Sequence, residues 1–254
     1  MLTVDIIVKT YPTDYDWLVY LWRSFSRVSG YRNIVVLLEE QYPIPPGLPS
    51  NAVVARTRRY VGTDYPSNLG SVVERLRAWS YTDADRIVYV DSDCMWSRDV
   101  DLQTDPTINI EKPVVLWRTW GEAEGAAFLR EATAQTLGYM PKFETMCRYP
   151  FCYPREVVKA CWDWCGGEER IYNLSTKEER ESAGVPPYCR TLSPTDWDTL
   201  GNYAIDHRPG SITATHVKDA GPRCIEQFWS WHRPTNPRVR ERLAALGLLL
   251  QGEK

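Results

Sequence analysis

Short β-branched apolar runs alternate with helix-spaced stripes through roughly the first ninety residues, and this alternation predicts the order of elements. Val4–Thr10 is a first strand. Tyr11-Pro12-Thr13-Asp14 is a turn, and Thr13 with Asp16 has the form of a helix start. Trp17, Leu18, Leu21, Trp22, Phe25 and Val28 then recur at helical spacing, with Gly30 ending the helix. Asn33–Leu38 and Ala52–Arg56 predict two more strands, separated by the loop Tyr42–Pro49, whose Pro45 and Pro46 cannot join a ladder. Ser67 is placed to cap a second helix with the stripe Leu69, Val72, Val73, Leu76 and Trp79. That helix feeds Ile87-Val88-Tyr89-Val90, a β-branched and aromatic run expected to be buried.

The second half is less regular. Pro113–Arg118 predicts a strand, Ala126–Leu137 a helix, and Cys147–Pro154 a loop or short strand leading into a helix over Arg155–Cys165. Gly166–Ala183 is polar and is expected at the surface. A helix near Thr195 carries Trp197, Leu200 and Tyr203; Ser211–His216 is β-branched; Arg238–Leu250 is a closing amphipathic helix. Strand, helix, strand, strand, helix, strand is the order of an α/β fold with a mainly parallel sheet. Ligands in such sheets bind beyond the carboxyl ends of the strands.

Composition narrows the classes. A 254-residue chain with 43% hydrophobic residues supplies a sizeable core, and with no linker between the halves one domain over 1–254 is expected. Thirty basic against 33 acidic side chains leave a formal charge of −3, so no global field draws the chain to nucleic acid or an anionic membrane. No apolar run approaches the roughly 18 residues of a membrane span. Met1–Val8 is too short and acidic for a signal peptide, so a cytoplasmic protein is expected. The cysteine count, seven, is odd and excludes a fully paired disulfide framework. Cys147, Cys152, Cys161 and Cys165 cluster in sequence, but their spacing matches common zinc ribbons poorly.

Asp91-Ser92-Asp93 follows the apolar run directly. Extended backbone would send both carboxylates to one side. Side by side they repel unless a cation sits between them, and carboxylate oxygens suit Mg²⁺ or Mn²⁺, which hold nucleotide phosphates. This spacing therefore suggests a metal-nucleotide site at the end of a central strand.

The Lys9-Thr10-Tyr11 strand end, the helix before Asp91-Ser92-Asp93 and a late His after a strand together resemble a GT-A glycosyltransferase. Asp5–Asp99 looks most like small soluble bacterial and phage enzymes of that fold. Thr195-Asp196-Trp197-Asp198-Thr199-Leu200-Gly201-Asn202-Tyr203 is similar to an acidic-aromatic helix start, S-E-Y-E-x-Y-G-x-Y, of related families. The resemblance implies a GT-A-like (Rossmann-like) single domain, with 1–110 holding the nucleotide-sugar and 111–254 the acceptor. It implies a hexosyltransferase using a divalent metal and a nucleotide-sugar donor, a UDP-sugar being the one expected. Asp93 would bind the metal, Asp91 the metal or donor ribose, and His216 would complete the shell, with His232 as the alternative. Lys9, Thr10 and Tyr11 would line the base pocket, with Ser92 between the two carboxylates. Arg75 or Arg77 would face the donor, and Lys218 and Arg223 would neutralise the departing diphosphate. Asp196 is the candidate base, in the first turn of a helix capped by Thr195, and Asp198 is the reserve. Asp in place of the family's Glu shortens the reach by a methylene and leaves the base assignment open.

Two other classes fit parts of the pattern. A haloacid-dehalogenase-like phosphatase also carries D-x-D after a buried strand, but on its first strand, whereas three strands precede it here. A non-catalytic carbohydrate- or nucleotide-binding module would hold ligand without turnover. The acceptor is open. Arg233, Arg238, Arg240 and Arg242, with Arg56, Arg58 and Arg59 and the nearby Trp229 and Trp231, would suit DNA carrying a hydroxymethylated base.

Overall fold

The computed structural model describes residues 1–58, 72–123, 126, 129–147, 150–175, 195–228 and 233–250. The strands, in chain order, are β1 (Val4–Lys9), β2 (Val28–Ser29), β3 (Asn33–Glu39), β4 (Ala52–Thr57), β5 (Arg86–Asp91) and β6 (Cys94–Trp96). They continue with β7 (Val100–Asp101), β8 (Val114–Thr119), β9 (Phe143–Glu144), β10 (Phe151–Pro154), β11 (Thr213–His216) and β12 (Ile225–Gln227). A five-stranded sheet runs in the order β10-β5-β1-β3-β4. β5, β1, β3 and β4 are mutually parallel, and β10 is an antiparallel edge. The protein is thus mixed α/β with a mostly parallel central sheet.

Parallel strands covered on both faces read as unbroken apolar runs. β1 is buried at all six positions and β3 at all but Asn33. The polar member near the start of β1, Asp5, is matched by Arg32, whose Nε and Nη2 lie 3.1 and 2.8 Å from its carboxylate, and by the Asn33 N–H at 3.0 Å. Helix Tyr15–Ser24 buries Trp17, Leu18, Tyr20 and Leu21. One cluster of buried apolar side chains takes in residues from Val4 to Leu248. Among the described residues no helix is long and apolar enough to cross a membrane.

Several boundaries move. The first helix starts at Tyr15 after the tight turn Pro12–Asp14, and no side chain caps it, so Thr13 and Asp16 do not form the expected start. It ends at Ser24, well before Gly30. Phe25–Arg27 tightens into a 3-10 turn and Val28 pairs with Val100, because the chain is drawn into the β2–β7 ladder. Gly30 serves that connection: φ is +79°, and a Cβ there would lie 2.4 Å from Asp101 Oδ1. Residues 72–76 are helical, while Trp79 sits in the following turn Ala78–Ser80. Ser67 and Leu69 lie outside the described residues. The polar segment from Gly166 contains a helix, Gly167–Ser175, that buries Ile171, so it is only partly a surface excursion. The closing helix is Pro237–Ala245, shorter than expected and capped by Asn236.

Candidate functional site

β5 ends at Asp91, and the chain turns at Ser92-Asp93 before β6 begins. The backbone there is not extended, so spacing alone does not align the two carboxylates. Asp91 is partly exposed, whereas Asp93 is buried. Ser92 is also buried, and its hydroxyl donates to Asp14 Oδ2 at 2.8 Å. Asp14, on the turn after β1, therefore pins the middle of the Asp-Ser-Asp turn. Burial pushes the Asp14 carboxyl up, and the charge of Asp91 adds to that. β12 pairs antiparallel with β6, and the Phe228 N–H donates to the Asp93 carbonyl at 2.9 Å.

Arg75 joins residues that are remote in sequence. One guanidinium nitrogen donates to Asp91, and the other donates to Asp196 Oδ2 at 2.9 Å. A planar fork of donors can hold two carboxylates at once, which a lysine could not do with the same geometry. The guanidinium carbon lies 4.9 Å from the centre of the Trp197 ring. Trp197 stacks on Phe151 at 4.3 Å and meets the Tyr89 ring edge-on at 5.1 Å. Tyr89 also donates its hydroxyl to the Arg75 carbonyl at 3.0 Å. The aromatic packing thus fixes the cation, and the cation fixes both carboxylates.

Asp196 opens helix Asp196–His207, whose N-cap is Thr195, as expected. Asp196 is buried; burial pushes its carboxyl up, while the Arg75 charge and hydrogen bond hold it down. Asp198 points elsewhere. It is fully buried, accepts from the Thr145 N–H at 2.7 Å and the Met146 N–H at 3.3 Å, and takes the Thr195 hydroxyl at 2.7 Å. Its carboxyl is pushed up to about 6 by burial. So enclosed, Asp198 anchors the helix to the 145–146 backbone and presents nothing to a substrate.

The end of β1 holds a second set of groups. Lys9 is fully buried, pairs in register with Asp91, and has no hydrogen-bond partner for Nζ; Glu39 Oε1 is the paired carboxylate, 3.9 Å away. Burial lowers its ammonium to about 8, against the opposing charges of Glu39 and Glu74. The Thr10 and Thr57 hydroxyls are also buried without a hydrogen-bond partner. Tyr11 lies beside them in sequence and is half-buried. Glu39 and Glu74 were not foreseen as neighbours of Lys9. Glu39 had a signal, a carboxylate closing an apolar strand; Glu74 on a helical stripe had none.

The expected metal trio is not assembled. Among the described residues no group of three or more His, Cys, Asp or Glu side chains is arranged to hold a metal ion. His216 Nε2 lies 3.2 Å from Glu122 Oε2, its Nδ1 accepts from the Lys218 N–H at 3.2 Å, and its ring meets Trp117 edge-on at 4.7 Å. Glu122 takes the Lys218 ammonium and the N–H and hydroxyl of Thr119 as well, and these partners hold its carboxyl well below the usual range. The reason is topological: β11 pairs with β8, in a separate sheet from β5. With Asp91 on Arg75 and His216 on Glu122, these residues do not fit the dication that the resemblance implied. Lys218 is likewise committed to Glu122 and not directed at a diphosphate. His232 lies outside the described residues.

Cys152, Cys161 and Cys165 are buried free thiols, and Cys147 donates to Glu144, so they form no zinc site among the described residues. The basic clusters are partly spent within the protein. Arg242 pairs with Glu226, Arg58 and Arg77 with Glu168, and Arg56 donates to the Tyr42 carbonyl. Arg59, Trp229 and Trp231 lie outside the described residues. Comparison with models of protein families gives no match, and comparison with curated proteins gives none either.

Proposed function

We propose that this protein is a GT-A-like glycosyltransferase that moves a sugar from a nucleotide-sugar to an acceptor hydroxyl. The observation that carries this reading is the Arg75 bridge, which holds the carboxylate at the end of β5 beside the carboxylate that opens helix Asp196–His207. A carboxylate at a strand's carboxyl end lies where α/β sheets take their ligands. Donor ribose or sugar hydroxyls would donate to Asp91, and the nucleobase would lie toward Lys9, Thr10 and Tyr11.

Transfer forms a bond between the acceptor oxygen and the sugar's anomeric carbon while the bond to the leaving diphosphate breaks. The acceptor proton needs a base, and Asp196 takes it. Burial raises the basicity of that carboxylate, and the Arg75 charge and hydrogen bond favour its ionised form. The Trp197 ring, itself packed against Phe151 and Tyr89, covers one side of the cation. No step here runs through a metal ion, and Asp198 stays a helix anchor.

The test is a panel of nucleotide-sugars incubated with the full chain, with released nucleotide followed by mass spectrometry. Release from at least one donor, lost in Asp91→Asn and Asp196→Ala variants that remain folded, is the expected result. If no donor is turned over, with or without candidate sugar acceptors, the proposal is wrong.

A further inference from the structure

The geometry points to a groove that binds a small monocarboxylate with a flat apolar body, at the amino ends of β1, β3 and β4 and so remote from Asp91. It stands independently of the transferase reading. Alternate residues of a strand share a face, so Asn33 and Val35 look the same way from β3. Asp5 of β1 is in register with Asn33, and Val53 of β4 with Val35. These side chains floor a groove of about 410 Å³, which Tyr81, Asp83 and Arg155 help to wall. That volume suits a small ligand. Solvent reaches it: Val53 is 50% exposed, the Arg32 side chain 40% and the Asp83 side chain 84%.

The charges define the ligand. Arg32 holds the buried Asp5 carboxylate through Nε and Nη2, and the same Nη2 lies 2.5 Å from Asp83 Oδ1. Arg155 Nε donates to the Trp79 and Thr82 carbonyls at 2.9 and 2.7 Å. Among the described residues Arg32 Nη1 and both Arg155 Nη atoms make no hydrogen bond, which leaves donors from two guanidiniums for a ligand. The Arg32 hydrogen bond holds the Asp83 carboxyl below its usual range, and the Arg155 charge adds to this. Asp83 thus fills the anion position. An ion pair so exposed is weak, and Asp83 can swing into water to let another carboxylate take its place. Two guanidiniums then face one remaining carboxylate, Asp5, so the groove calls for one negative charge and not the two of a phosphate monoester. Arginine takes a carboxylate through paired, charge-assisted hydrogen bonds. The Tyr81 hydroxyl is taken by Glu74, which leaves its ring, with Val35 and Val53, to meet the apolar body of the ligand.

The experiment is a titration of the ¹⁵N-labelled full chain with benzoate, benzamide and phenyl phosphate, followed by amide chemical shifts. Benzoate should give saturable shifts around Asn33, Val35, Val53 and Asp83 at millimolar concentration, and bind at least about tenfold more tightly than the neutral benzamide. Phenyl phosphate should bind no more tightly than benzoate. Asp83→Asn removes the competing carboxylate and should raise benzoate affinity about two- to fivefold, the worth of an exposed ion pair. Val53→Glu, at an exposed position that tolerates it, should lower that affinity at least about tenfold by placing a like charge on the floor. No saturable shift with benzoate, equal affinity for benzamide, or a Val53→Glu variant that binds benzoate as wild type does would overturn the site. Tighter binding of phenyl phosphate, or weaker benzoate binding in Asp83→Asn, would overturn the carboxylate assignment.

Discussion

Arg75 and Asp196 depend on each other. A carboxylate buried as deeply as Asp196 would take up a proton without a neighbouring cation, and Arg75 is that cation. Asp196→Asn keeps an oxygen for Arg75 but no basicity; turnover should fall about 100-fold or more with donor affinity unchanged. A parallel loss of donor affinity would mark Asp196 as a binding group instead. Arg75→Met removes the charge that keeps Asp196 ionised. Its folded pKa then rises further, and the acid limb of turnover should move to higher pH, with partial recovery in Arg75→Lys. An unshifted limb would mean that the pair does not govern proton transfer. Asp198 makes a different pH argument. Its folded pKa, about 6, exceeds the ordinary 3.8, so the stability it contributes is full below 3.8 and is lost as pH rises through about 6. Wild type should therefore lose stability relative to Asp198→Asn across that interval, measured by urea unfolding. A pH-independent difference would remove the burial argument.

The helix Asp196–His207 is the element on which the site turns, and two features seat it. Thr195 caps it, accepting from the Asp198 N–H at 3.2 Å. Gly201 lets it approach the 143–146 segment: a Cβ at that position would lie 2.3 Å from Thr145 Oγ1 and 2.5 Å from Thr145 Cβ. Thr145 cannot retreat easily, since its hydroxyl donates to the Trp197 carbonyl at 2.9 Å. Gly201→Ala should cost about 1–3 kcal/mol by overpacking, read from urea unfolding. It should also lower turnover, because the same shift moves Asp196. A variant as stable and active as wild type would show that the helix has slack. The first helix teaches the converse lesson. Its apolar spacing continues to Val28, yet regular helix stops at Ser24, whose hydroxyl takes the Trp96 N–H at 3.2 Å.

Across the molecule, the sheet separates a stabilising end from a candidate functional end. Asp5, near the start of β1, gathers Arg32, the Asn33 N–H and the Thr82 hydroxyl. Asp5→Ala leaves these donors short of an acceptor and should cost about 2–3 kcal/mol. Because Lys9, Asp91 and Arg75 lie at the other end of the strands, nucleotide affinity at a temperature where the variant is folded should match wild type. Reduced affinity there would show that the two ends are coupled.

The apolar runs were enough to read β1, β3, β5 and the parallel α/β order, because strands buried on both faces carry their own signature in composition, and the β-branched residues of β4 marked it although it is a half-exposed edge. The Thr195 cap was equally legible, since capping is settled within four residues. Long-range partnership was not. Nothing local says that Arg75 will reach Asp91 and Asp196, that Asp198 will be sealed by Thr145, or that His216 will go to Glu122 and not to the Asp-Ser-Asp turn. Those choices follow from which strands share a sheet and which side chains must be satisfied once water is excluded. Only the assembled tertiary structure sets those conditions.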